Sequence, residues 1–206
     1  ATTAGFYGLL YKQLGDVYYR SEQPDRARQS YRRALQLFDA PTSRGKRNRF
    51  ITTCNALAEL HLRLEELDSA DYWLRRSLTY HTPDDPFKTE TYRQLGEVYA
   101  QRGDYAEALA YLEQALSSPG AYEGKNYQTA RIYRAMGDLA RRQGQSGPAL
   151  AHYQEALTHL AEDFDGGGGY CANPSLDRLY AWKDLLLTLY EKAALLYHLN
   201  DRERLR

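Results

Sequence analysis

Small residues recur in this chain at fixed distances from large ones, and that recurrence restricts the fold more than any other feature of the sequence. With Thr89 as position 1, residues Tyr92, Leu95, Gly96, Tyr99, Ala108, Leu112 and Ala115 fall at positions 4, 7, 8, 11, 20, 24 and 27. Counted from Gly8, the same positions hold Tyr11, Leu14, Gly15, Tyr18, Ala27, Tyr31 and Ala34. From Ala130 they hold Tyr133, Met136, Gly137, Ala140, Ala149, Tyr153 and Ala156; from Ile51, more weakly, Cys54, Leu57, Ala58, His61, Ala70, Leu74 and Ser77. Position 8 is Gly or Ala, position 20 always Ala, and position 27 Ala or Ser. Spacings of three and four put these residues on one face of each of two helices. The helices touch at the small residues while the large ones fill the space beside them.

The pattern predicts an all-α, right-handed α-α superhelix, a solenoid of four long helix-turn-helix units plus a partial fifth. The units are expected at about 4–38, 46–81, 85–117 and 124–162, with a Gly-rich loop at 163–173 and the partial unit at 174–206. Gly103-Asp104 and Gly144-Gln145 read as the turns inside units, since Gly suits the left-handed residue after a helix end. Pro24 suits the first turn of a helix, and Asp85-Pro86 and Asn173-Pro174 read as helix starts, an N-cap followed by proline. Asn200-Asp201 aligns with the Gly-Asp turns, so a second helix of the fifth unit is expected to begin there. A unit left with an open apolar face needs a neighbour or a cap, so further protein is expected beyond Arg206. A start at Ala1 rather than methionine points to a fragment or processed product.

Composition excludes several classes. At 206 residues there is room for one elongated domain. Lys+Arg 27 against Asp+Glu 27 leaves a net charge of zero, which supplies no general attraction to nucleic acid or anionic lipid. No apolar run reaches the roughly 18 residues of a membrane span. Cys54 and Cys171 lie too far apart for a CxxC element, and two cysteines in a chain of this size suggest a reducing, cytoplasmic setting.

These residues resemble the tetratricopeptide repeat (TPR): an aromatic, then Leu-Gly, Tyr, Ala and a second aromatic, over roughly residues 4 to 162. Successive starts lie 43, 38 and 41 residues apart, longer than the 34 of the standard repeat. The resemblance implies a concave inner wall built by the first helix of each unit, used to hold a protein or peptide. The chaperone-adaptor form of the family clamps a carboxylate through five positions that here hold Lys12, Asp16, Ala56, Glu90 and Gln94; only Lys12 fits. The acidic-aromatic loop after Asp163, then Asn173-Pro174, Trp182 to Leu186 and Glu191 to Ala193, is similar to the end of the repeat array in bacterial CHAT proteins. That resemblance implies the sensing or scaffolding arm of a caspase-like peptidase protein, whose catalytic domain would lie beyond Arg206.

Catalytic and metal chemistry find no constellation, so no enzyme activity and no cofactor is expected. Cys54 stands at a core position, where thiols behave as small hydrophobes. Cys171 has no evident activating neighbour. His152 and His159 lack the three or four convergent ligands of zinc. Gly166 to Gly169 follow a helix and lack the GxGxxG or GK[ST] spacing of phosphate loops, which leaves a connector.

The remaining candidate is the inner wall, at positions 2, 5, 9, 12 and 13. It nominates Lys12, Asp16, Tyr19 and Arg20 in unit 1, Asn55, Glu59 and Arg63 in unit 2, Arg93 and Glu97 in unit 3, and Arg131, Arg134, Asp138, Arg141 and Arg142 in unit 4. With Glu90 at position 2 of unit 3 included, side-chain charges at those positions sum to +1, 0, −1 and +3, so unit 4 is the basic end. Four arginines on one face repel, and an acidic partner would relieve them. Three Arg–carboxylate contacts at about 2 kcal/mol each only reach the low end of the cost of association, so the partner must also bury apolar surface, on Tyr19 or Leu62. The expected ligand is therefore a protein or peptide, acidic, of micromolar affinity; nucleic acid is disfavoured. A free-standing adaptor and a nucleic-acid-contacting arm are the alternatives, the last marked by steep salt dependence.

Overall fold

In the computed structural model the described residues are 3–38, 43–119, 121, 126–162, 164–170, 172–174 and 181–204, without the side chains of 201–204. They form α1 (Thr3–Arg20), α2 (Pro24–Phe38), α3 (Arg44–Arg63), α4 (Leu67–Leu78), α5 (Lys88–Arg102), α6 (Tyr105–Leu116), α7 (Tyr127–Arg142), α8 (Ser146–Thr158) and α9 (Trp182–Arg204). Among the described residues there is no strand. The pairs α1–α2, α3–α4, α5–α6 and α7–α8 are hairpins; α2, α4, α6 and α8 each pack on the first helix of the next unit. The odd-numbered helices touch one another in a row. The result is an all-α superhelical repeat whose inner wall is α1, α3, α5, α7 and α9.

Closeness inside each hairpin comes from position 8. A Cβ added to Gly15 would lie 2.5 Å from the Tyr31 ring, at Gly137 2.5 Å from the Tyr153 ring, and at Gly96 2.7 Å from Leu112. The residues at positions 20, 24 and 27 are fully enclosed: Ala27, Tyr31 and Ala34 are 0–1 % exposed, and so are Ala108, Leu112 and Ala115. Cys54 is buried beside Tyr31 and Leu57, and burial pushes its thiol up to about 12. Cys171 lies outside the described residues.

All four hairpins turn through one device at position 15. Glu22 (φ 56°), Glu65 (φ 58°), Gly103 (φ 89°) and Gly144 (φ 74°) all adopt the left-handed conformation. In each, the next amide donates to the carbonyl at position 11: Gln23 to Tyr18, Glu66 to His61, Asp104 to Tyr99 and Gln145 to Ala140, all at 2.9 Å. This is the Schellman closure, which satisfies the last carbonyls of the first helix.

The helix-start and turn assignments near the connectors need three corrections. First, α5 begins at Lys88 rather than Pro86 and its N-cap residue is Phe87, so Asp85 does not cap it; the Asp85 Oδ1 accepts from the Phe87 amide (3.0 Å) within the turn that precedes the helix. Second, Asn173 is not a helix cap and Pro174 is not helical, because the Asn173 Oδ1 accepts from the buried Lys192 Nζ (3.0 Å) instead; residues 175–180 lie outside the described set. Third, α9 runs without a break through Asn200 and Asp201, so no turn forms there. A continuous helix keeps its backbone hydrogen bonds, and no second helix among the described residues rewards a left-handed residue at Asn200. Between the expected units, residues 39–42, 120 and 122–125, and in the Gly-rich loop 163 and 171, lie outside the described residues, and α3 already begins at Arg44.

Candidate functional site

On the inner wall the first helices leave two adjoining hollows. One, of about 340 Å³, is lined by Tyr19, Glu59, Arg63, Arg93, Glu97, Arg131, Arg134, Asp138 and Arg142 over an apolar floor of Leu62, Ala100, Leu112, Ala135 and Leu139. The other, of about 430 Å³, is lined by Lys12, Asp16, Tyr19, Arg20, Asn55, Glu59, Glu90, Arg131 and Lys183, among others. They meet at Tyr19, Glu59 and Arg131. Repeat register thus brings all but one of the nominated residues to a single groove. Arg141 lies elsewhere, in a hollow with Gly144, Leu195 and His198 between α7, the α7–α8 turn and α9.

Much of the nominated charge is consumed by the protein itself. Position 5 is not free in two units. Arg93 is only 2 % exposed; its guanidinium donates to Glu90 (2.6 and 3.0 Å) and to Glu97. Asn55 is buried and its Nδ2 donates to Thr91 Oγ1 across the α3–α5 contact (2.9 Å). Neighbouring first helices come close enough that position 5 is enclosed between them, which sequence spacing does not reveal. Burial alone would raise the Glu90 carboxyl, but Arg93 and Arg131 outweigh it and hold the group below the usual carboxylate range.

The expectation of four mutually repelling arginines is likewise corrected. Arg131 spans from Glu90 (3.2 Å) on α5 to Asp184 (3.8 Å) on α9, and so ties three first helices together. Arg141 lies 3.5 Å from Glu191 and 4.0 Å from Asp138. Asp138 does not pair with Arg134, four residues earlier on the helix; it accepts instead from the Tyr153 hydroxyl (2.7 Å). Burial raises the Asp138 carboxyl, and Tyr153 and the nearby arginines only partly offset that. What remains without an ion pair among the described residues is Arg134, Arg142, Arg63 and the exposed Arg20.

Unit 1 repeats the Tyr–Asp contact: the Tyr31 hydroxyl donates to Asp16 Oδ1 (2.9 Å), and Lys12 Nζ donates to Asp16 Oδ2 (2.7 Å). The ring that Gly at position 8 admits thus reaches through the hairpin and fixes the carboxylate at position 9. A tyrosine at position 24 ends neither in solvent nor on a backbone carbonyl. The Tyr19 hydroxyl donates to Glu59 (3.1 Å), its ring lies under the Arg63 guanidinium (4.9 Å), and burial leads the rise of its pKa to about 12. Tyr19 and Arg63 thus form an aromatic–cationic platform in the groove.

Sequence reading missed a buried polar chain joining units 2 and 3. His81 Nε2 lies 3.1 Å from Thr91 Oγ1 and 3.3 Å from Ser77 Oγ, and its Nδ1 lies 3.1 Å from Asp85 Oδ2. The residue types match a nucleophile triad, but Ser77 and Thr91 are wholly enclosed. Burial also lowers the His81 pKa below its ordinary value, against the pull of Asp85. The arrangement holds the α4–α5 connector rather than meeting a substrate. The Ser/Thr-His-Asp types sit at 77, 81, 85 and 91, a spacing that a helix-and-connector reading could have raised. His152 and His159 both stack against the Tyr133 ring (6.3 and 5.6 Å between centroids).

Comparison with known proteins agrees with this geometry. The tetratricopeptide repeat model matches residues 8–40, 48–119 and 90–162. No curated protein matches the chain. Among solved structures the chain is similar to BtubC (BKLC) from P. vanneervenii, with a TM-score of 0.69 at 18% identity over 95% of this chain and 75% of that one. It is also similar to Pseudomonas aeruginosa pilF (TM-score 0.58, 19% identity, 76% of this chain and 62% of that one). For MamA the values are 0.52, 20%, 74% and 77%. At these identities the neighbours share a fold. Since the repeat model spans more than half of the sequence and coincides with the four helix pairs, the chain belongs to the tetratricopeptide repeat family.

Proposed function

We propose that this chain is a non-catalytic scaffold or regulatory arm that holds an acidic segment of a partner protein on its inner wall. The observation that carries the reading is the contrast within the groove. Arg93 and Arg131 are neutralised by Glu90, Glu97 and Asp184, whereas Arg63, Arg134 and Arg142 stand over an apolar floor without an ion pair among the described residues. A carboxylate reaching those three gains charge-assisted bonds, and its flanking apolar side chains rest on the half-buried Tyr19 and Ala100. At about 2 kcal/mol per contact the charges alone only offset the cost of association, so affinity in the micromolar range follows from the apolar part.

The test is fluorescence anisotropy with labelled peptides in which Glu and Leu alternate, against peptides with Lys for Glu. The acidic peptide should bind and the basic one should not. Arg63→Glu, Arg134→Glu and Arg142→Glu together should abolish binding without lowering the melting temperature. Equal binding of both peptides, or full binding by the triple variant, would overturn the reading. Arg131 and Arg141 are unsuitable for this test because they hold helices together.

The finer assignment, an arm of a CHAT-type bacterial peptidase protein working in the cytoplasm, is supported only by the resemblance of the Asp163 to Ala193 stretch. Reading the gene on past Arg206 tests it: a His/Cys peptidase domain supports it, and a stop codon removes it in favour of a free-standing adaptor.

A further inference from the structure

A hollow of about 210 Å³ opens beside the groove at the junction of units 1 and 2. Tyr19, Glu22 and Pro24, at the end of α1 and the start of α2, form one wall; Leu60, Arg63 and Leu64, at the end of α3, form the other. Both walls come from adjacent hairpins that pack on each other within the array. Tyr19 and Arg63 also line the groove hollow of about 340 Å³, so the two spaces share that pair as a partition.

Repeat register sets this junction apart from the others. Position 14, at the end of each first helix, holds Ser21, Leu64, Arg102 and Gln143, polar in every unit but the second. Leu64 is 38 % exposed there. Its amide donates to the carbonyls of Leu60 (3.2 Å) and His61 (3.1 Å), which fixes the backbone that carries the side chain. One junction further on, Arg102 pairs with Asp68 (2.7 Å) and lies over the Tyr99 ring (5.4 Å), so charge stands in place of the apolar wall. Across the hollow, position 12 is a large ring only in unit 1; Leu62, Ala100 and Arg141 follow in the later units. The Tyr19 hydroxyl is tied to Glu59 and its ring is covered by Arg63, so this wall too is formed in advance.

A segment lying in the groove meets little apolar surface on the floor itself, since Leu62, Leu112 and Leu139 are 6 % exposed or less. The exposed Leu64 and the half-buried Pro24 offer more, and Arg63 lines the same hollow. Glu22 also stands on that hollow, close enough to act on the charge of Arg63, and it repels a carboxylate. An anionic side chain therefore belongs on the groove side of Arg63 and an apolar one on the Leu64 side.

We propose that this hollow is the anchor subsite of the groove, taking a bulky apolar side chain from the same partner segment whose carboxylate reaches Arg63. The inference rests on the acidic-segment reading and adds what selects one acidic segment over another. Burial of the anchor against Tyr19, Pro24, Leu60 and Leu64 provides the apolar contribution that the charges need. Arg63, bonded on its groove side, holds the register between the two subsites.

The experiment is fluorescence anisotropy of the full chain with two labelled peptides of equal charge, one alternating Glu and Leu, the other alternating Glu and Ser. The wild-type chain should bind the Glu–Leu peptide about tenfold more tightly, and Leu64→Ser, which installs the residue type of unit 1, should cut that preference at least about threefold. Leu64→Ser should leave the Glu–Ser affinity and the melting temperature unchanged, since Leu64 is exposed and the arginines are intact. Leu64→Met should keep the wild-type preference. Equal affinity of the wild-type chain for the two peptides would overturn the anchor while the acidic reading stands. So would an undiminished preference in Leu64→Ser, or a loss in that variant that is equal for both peptides. Binding of neither peptide by the wild-type chain would overturn both readings.

Discussion

At Gly15 the protein depends on the absence of a single carbon. The Tyr31 ring occupies the space a Cβ would need, and the hydroxyl of that ring anchors Asp16. Unit 4 repeats the trio as Gly137, Tyr153 and Asp138, whereas unit 2 has Ala58 with Leu74, a smaller residue opposite a larger backbone neighbour. Gly15→Ala should therefore overpack the α1–α2 hairpin and cost about 1–3 kcal/mol, read from chemical denaturation. Adding Tyr31→Leu recreates the unit 2 pairing, so the double-mutant cycle should show a coupling of at least about 0.5 kcal/mol in favour of the double variant. Strict additivity would mean that the close contact is not what fixes the residue. Ala108→Leu tests the opposite wall of a hairpin in the same way, with a loss of about 1–3 kcal/mol expected.

At the scale of elements, two of the four hairpin turns were legible in the sequence and two were not. Gly103 and Gly144 announce a left-handed residue; Glu22 and Glu65 do not, because an L side chain disfavours that conformation by roughly 1–2 kcal/mol. The hairpin imposes it there, since the second helix must return at position 16 for Ala27 and Ala70 to reach position 8. Gly144→Ala should accordingly lower stability by about 1 kcal/mol, while Glu65→Gly should leave it unchanged or raise it; a melting series of both variants checks the pair. Asn200 shows the converse. With the side chains of a turn but no helix returning among the described residues, it stays inside α9. The helices and their contact faces could be read because size patterns are local and periodic. Position 5 could not, since whether Asn55 and Arg93 face a partner or a neighbouring helix depends on how far apart α3, α5 and α7 stand. Nor could the neutralisation of Arg131 by Glu90 and Asp184, which come from units before and after it.

For the whole molecule, three histidines, the enclosed His61 and His81 and the half-buried His152, tie stability to pH. His61 donates from Nδ1 to Glu66 (2.5 Å) at the turn of unit 2, His81 joins units 2 and 3, and His152 stacks on Tyr133 in unit 4. In all three, burial lowers the pKa below its ordinary value of 6.5, against the pull of Glu66, Asp85 and Glu155 respectively. The folded chain thus keeps these rings neutral where the unfolded chain has begun to bind protons. Stability is fully present above the unfolded value and is lost as pH falls through it toward the folded one. The carboxylates Glu66 and Glu90, held low by their basic neighbours, weaken the fold only at more acid pH, as they take up protons. Between pH 7 and 5 the melting temperature should therefore fall, and the fall should shrink in a chain carrying His61→Gln, His81→Gln and His152→Gln. Because each unit of a solenoid leans on its neighbours alone, loss at the unit 2–unit 3 junction should expose α3 to α5 to amide exchange before the array melts as a whole. Equal pH slopes for the wild-type and triple-variant chains would show that the histidines are not the groups that sense the change.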